Sequence, residues 1–129
     1  MIEPLAESVV TRLRRRYPAF HEAAYLFVLS GLQYTIERMY RERHVSGREL
    51  AEGCRDLARE KFGPMARTVF EHWGIRTSRD LGQVVFALVD CGVLVAQEGD
   101  SIGDFEDVFD PEDAFERDYP WSAPAQLQQ

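Results

Sequence analysis

A chain of 129 residues, 45% hydrophobic and 29% charged, has the size and make-up of one ordinary globular domain, able to remove roughly two thirds of its unfolded surface from water. That composition excludes wholesale disorder, and no apolar run approaches the roughly 18 residues of a membrane-spanning helix. The formal net charge of -7 is unevenly spread: residues 1–80 hold 14 Lys and Arg against 11 Asp and Glu, whereas residues 81–129 hold one Arg against 11 acids.

The chain opens Met-Ile-Glu-Pro and turns polar and basic, without the apolar segment of roughly 7 to 15 residues that marks a secretory leader, so a cytoplasmic protein is expected. Ile2, Leu5, Val9 and Leu13 recur at helical spacing and predict a short first helix. It ends in Arg14, Arg15 and Arg16, cations suited to the negative end of a helix dipole. Pro18 is a natural first helical residue, and Phe20, Ala24, Phe27, Val28, Gly31, Leu32, Ile36 and Met39 continue the rhythm into the longest helix, the expected centre of the fold. Gly31 on that helix would let another helix approach closely.

Ser46 and Glu49 are spaced as a capping box, opening a helix through Leu50, Cys54, Leu57 and Ala58 that stops at Gly63. Pro64 starts the next, through Met65, Val69 and Trp73 to Gly74. Thr77 and Asp80 form a second box before Leu81, Val84, Val85, Leu88 and Val89, with an end expected at Gly92. Val93-Leu94-Val95 fits a last helical turn, an extended piece, or one strand of a hairpin around Glu98-Gly99-Asp100. Cys54 and Cys91 sit in apolar helical patterns, without metal-ligand or redox spacing, and read as buried free thiols.

From Asp100 the chain becomes acidic and aromatic, and the aromatic residues predict that it packs on the body. The expected architecture is mainly α: a compact bundle of five or six helices, with a small winged-helix-like β-hairpin near residues 93–105 as one option. Residues 1–121 form the single domain, 100–121 its acidic aromatic segment, and 122–129 a flexible tail.

A winged helix that reads DNA needs cations on its groove helix and wing, and no Lys or Arg lies between Leu81 and Glu116. Arg12, Arg14, Arg15, Arg16, Arg38, Arg41, Arg43 and Arg48, with Tyr17, Tyr40 and His44 nearby, are the alternative nucleic-acid surface, diluted by Glu37, Glu42 and Glu49. His21, His44 and His72 lack a diagnostic catalytic neighbour. The acids Asp100, Asp104, Glu106 and Asp107 invite a divalent cation but do not match a calcium loop, and no glycine-rich phosphate loop is present, so no cofactor is expected.

Arg43-His44-Val45-Ser46-Gly47-Arg48-Glu49-Leu50, Phe62-Gly63-Pro64-Met65-Ala66, Trp73-Gly74-Ile75, Asp80-Leu81-Gly82 with Val85-Phe86, and Asp100-Ser101 before Asp104-Phe105 together resemble a small uncharacterised bacterial family. That family occurs largely in planctomycete and verrucomicrobial genomes, and the resemblance spans about Tyr17 to Tyr119. It implies a stand-alone bacterial protein and carries over no activity, ligand or catalytic residue.

The leading expectation is a non-enzymatic helical domain that contacts another protein. Its candidate surface comprises Arg14, Arg15, Arg16, Arg43, His44, Arg48, Asp104, Asp107 and Trp121. Nucleic-acid binding by the Arg-rich N-terminal half is the first alternative, and an enzyme or metal protein centred on His44 and nearby acids is the second.

Overall fold

The computed structural model describes residues 6–41, 43–97 and 99–117. Among these residues five α-helices follow one another: α1 (Glu7–Arg16), α2 (Glu22–Glu37), α3 (Gly47–Phe62), α4 (Ala66–His72) and α5 (Ser78–Asp90). A 3-10 turn at Gly63–Met65 joins α3 to α4, a second spans Ile102–Phe105, and a π-turn at Asp113–Arg117 closes the described chain.

The expected boundaries hold where side chains cap helices. Ser46 accepts from the Glu49 amide while the Glu49 carboxylate accepts from the Ser46 amide, and Thr77 and Asp80 do the same for α5. Gly63 has φ +52° and ψ -132°, backbone open only to glycine, and the chain turns there into the 3-10 step. Gly74 and Gly92, with φ of +93° and +78°, follow the caps of α4 and α5. The amides of Gly74 and Ile75 bond the carbonyls of Glu71 and Phe70, and those of Gly92 and Val93 bond Val89 and Leu88.

Two expectations are corrected. α2 begins at Glu22 rather than Pro18, because the Phe20 amide bonds Tyr17 in a turn and His21 stays extended as the cap. Its Nδ1 accepts from the Ala23 amide at 3.0 Å, and its own amide donates to the Trp73 carbonyl at 3.1 Å, tying the start of α2 to the end of α4. The hairpin near residues 93–105 does not form: no strand occurs among the described residues. Val93 and Leu94 spend their amides on the Leu88 carbonyl, and Ser101 starts a 3-10 turn in which Asp104 completes another capping box.

Close helix crossing depends on small residues. α2 packs on α1, α3 and α5. A methyl group built on Gly31 would collide with Cys54 Sγ, and one on Gly53 with Thr35, so these two glycines set the α2–α3 approach. The core they enclose includes Ala24, Val28, Ala51, Cys54, Ala58, Leu81, Val84 and Leu88, all inaccessible. Cys54 and Cys91 are buried free thiols, as the sequence predicts.

The acidic segment docks on this body. Phe115 meets Phe70 edge-on at 5.3 Å and Phe109 at 5.9 Å, extending an aromatic cluster in which Phe70 also stacks on Trp73. Arg59 Nε donates to the Ala114 carbonyl, Arg67 pairs with Glu116 at 2.8 Å, and Arg79 pairs with Glu106 at 3.4 Å. Part of the acidic end is therefore neutralised by the helical body. Tyr119, Trp121 and the expected tail 122–129 lie outside the described residues.

Candidate protein-interaction groove

Phe105 anchors the chain that forms one side of the groove. Its ring packs where Gly47 opens α3 and Gly82 lies on α5, and a Cβ at either glycine would stand 2.9 Å or less from it. Ser78, 1% exposed, donates from Oγ to the Phe105 carbonyl at 2.6 Å and accepts from the Val108 amide at 3.1 Å. One buried hydroxyl thus serves both a donor and an acceptor of the returning chain, which otherwise would lose them to an apolar interior.

Above Phe105 lies an open cavity of about 450 Å³ between the end of α2, the start of α3, the outer face of α5 and residues 94–105. Leu32, Ile36 and Leu50 line one wall, Val85, Phe86 and Val89 the other, and Leu94, Val95 and Ile102 the lip. Phe86 is 54% exposed, Val95 86% and Ile102 39%, so large apolar side chains remain in water around the opening.

Polar groups ring the rim. His44 Nε2 and Asp100 Oδ1 are 3.1 Å apart, joining the α2–α3 connection to the lip. The Gln97 amide, donating to Asp100 at 2.7 Å, lowers the pKa of that carboxyl, and the His44 contact adds to the effect. Asp104 accepts from the Ser101 amide at 3.1 Å. Arg43 grips Glu49 through two hydrogen bonds of 3.0 and 2.6 Å. This grip, with the Ser46 amide, lowers the Glu49 carboxyl to about 2.

Of the expected surface residues, the fold gathers Arg43, His44 and Asp104 at this groove and leaves Arg14, Arg15, Arg16, Arg48 and Asp107 elsewhere. Arg14 pairs with Glu22 at 3.3 Å, Arg16 with Asp90 at 3.4 Å, and Arg48 with Glu52 at 3.2 Å. Arg15 and Asp107 are exposed away from the lining, Asp107 with a positive φ of 51°, and Trp121 is outside the described residues. Arg38 pairs with Glu60 at 3.6 Å, so five arginines of the expected nucleic-acid patch each face a carboxylate. Asp100 and Asp104 act as caps, and among the described residues no group of three or more His, Cys, Asp or Glu is arranged to hold a metal ion.

Sequence reasoning missed the apolar opening itself. A signal was present in Val84-Val85-Phe86, since three consecutive apolar residues on a helix cover more than the single stripe that a core face needs. Val84 is fully buried, Val85 half-buried and Phe86 exposed, following the turn of the helix out of the core.

No protein-family model, curated protein or solved structure matches this chain. Among the described residues, no helix is long and apolar enough to cross a membrane.

Proposed function

We propose that this is a non-enzymatic protein-interaction domain, working in a bacterial cytoplasm, that receives an apolar segment of a partner in the groove over Phe105. The observation that carries the reading is the gathering of Phe86, Val95 and Ile102, all exposed, around one cavity of about 450 Å³. Contiguous apolar surface with a polar rim marks a contact site, whereas scattered exposed apolar residues do not. The His44–Asp100 contact fits as a tie between the two sides of the opening.

The test is selection of helix-biased display peptides on the whole chain, with Phe86→Gln as counter-target. Phe86 is an exposed helical position, so glutamine preserves the helix while removing the largest apolar contact. Enrichment of peptides that share spaced apolar anchors and lose binding to Phe86→Gln supports the reading. Enriched peptides indifferent to that substitution, or no enrichment at all, dismiss it.

A second reading, proton transfer at His44, is favoured by one observation: a carboxylate 3.1 Å from the imidazole orients it as a general base would be oriented. Its test is a panel of ester and amide substrates. Turnover that disappears in His44→Gln while display peptides still bind supports catalysis, and turnover unchanged in that variant rejects it.

A further inference from the structure

We infer that the groove's occupant is a cationic amphipathic helix, a partner segment with an apolar stripe bordered by Lys or Arg; this rests on the interaction reading above. Charge is the first argument. α5 and the lip belong to the stretch Leu81–Glu116, which carries ten acids and no Lys or Arg. Several of those acids are answered by the body, as Arg79 answers Glu106. Asp100 and Asp104, the two that line the groove, are held instead by backbone amides and, for Asp100, by His44. Arg43, the one arginine in the lining among the described residues, is engaged by Glu49. The rim therefore presents negative charge beside apolar walls, which attracts cations flanking an apolar segment and repels anions.

The same charge argues against a second copy as occupant. A twofold contact would set one acidic wall against its own duplicate, at the cost of like-charge repulsion. Backbone chemistry supplies the second argument. An extended peptide gains affinity by pairing with a sheet edge, and the described residues contain no strand to offer one. The walls from α2 and α5 are helices whose interior amides and carbonyls are bonded within each helix, so against them an incoming backbone must satisfy its own hydrogen bonds. A helix does so, and presents apolar anchors at i, i+3 or i+4, and i+7 to a groove of this kind.

The experiment uses two capped model helices of roughly 15 residues, identical in their apolar stripe but flanked by Lys in one and Glu in the other. Binding to the full chain is measured by fluorescence anisotropy, and the binding face is located by amide chemical-shift changes. The Lys-flanked helix is expected to bind at least about tenfold more tightly at low salt, an advantage that shrinks as salt screens the rim. Shifts should concentrate at Phe86, Val95 and Ile102. Asp100→Asn with Asp104→Asn should erase the preference, and asparagine keeps the capping oxygen so that the lip can still fold. If that double variant does not fold, the salt dependence and the Glu-flanked probe carry the test.

Equal or tighter groove binding by the Glu-flanked helix overturns this inference while leaving the interaction reading standing. Lys-helix binding that persists in Phe86→Gln and leaves the groove resonances unmoved overturns both. Failure of the Lys-flanked helix to bind overturns the cationic-helix inference alone, the groove reading then being decided by the display selection. Self-association of the chain that Phe86→Gln abolishes overturns it in favour of a second copy.

Discussion

Replacing Gly82 by alanine tests the packing that creates the groove, because the sign of its effect depends on Phe105. In an ordinary helix interior, Gly→Ala gains about 1 kcal/mol from reduced backbone entropy. Here the new Cβ would stand 2.7 Å from Cβ and Cγ of Phe105, which is 4% exposed and held from behind by the bond from Ser78 to its carbonyl. Overpacking of that kind costs about 1–3 kcal/mol, so Gly82→Ala should leave the wild-type background unchanged or destabilise it by up to about 2 kcal/mol. Phe105→Gly should cost about 4–6 kcal/mol, the loss of the ring plus the added backbone freedom of glycine. In that background both the ring and the Cβ at 105 are gone, the added methyl has room, and Gly82→Ala should stabilise by about 1 kcal/mol. The double-mutant cycle therefore predicts a coupling of about 1–3 kcal/mol. For a chain of this size each kcal/mol moves Tm by about 3–5 °C, so the sign reversal is readable in calorimetry or urea denaturation. An equal gain from Gly82→Ala in both backgrounds would refute the argument.

Three further outcomes follow from buried or paired groups. Glu49, with a pKa of about 2 against an ordinary 4.5, contributes stability that is present above pH 4.5 and lost as pH falls through about 2. Glu49→Gln should therefore be less stable than wild type at pH 7 and equal to it near pH 2 by urea denaturation; its side chain is 34% exposed, so solvent keeps the difference small. A gap that widens with acid would contradict this. The Tyr25 hydroxyl has no hydrogen-bond partner among the described residues, and burial pushes its pKa up to about 12. Tyr25→Phe should stabilise by about 1 kcal/mol, and a loss of similar size would mean that the hydroxyl is in fact bonded. The stability tied to Tyr25's neutral form should be full below pH 10 and lost as pH rises toward 12, a decline that Tyr25→Phe removes. Cys54, fully buried and pushed up to about 12 by burial, should resist iodoacetamide in the native state and react at the rate of global unfolding, whereas fast native labelling would contradict its place between α2 and α3.

The sequence by itself determined the helices, because the signals that start and stop them are local. Ser46 and Glu49, Thr77 and Asp80, and glycines at 63, 74 and 92 act on backbone groups within a few residues, and each did so where expected. The start of α2 was misread because His21 gives its amide to Trp73, a partner 52 positions away that no local rule contains. For the lip the sequence admits a helical turn, an extended piece or a hairpin, because three apolar residues carry no period of their own, and what arranges them is the α5 cap and the anchoring of Phe105.

The charge split was likewise readable as a count, but not as a surface. Only the tertiary structure decided that Arg67 and Arg79 meet the acidic segment while Asp100 and Asp104 stay at an opening. His44 and Asp100 are 56 positions apart, and nothing in either residue's neighbourhood announces the other. Residues near in sequence specify helices through short-range hydrogen bonds and caps. A groove is made by helices packing against one another, and its lining exists only once glycines 31, 47, 53 and 82 have set how closely they approach.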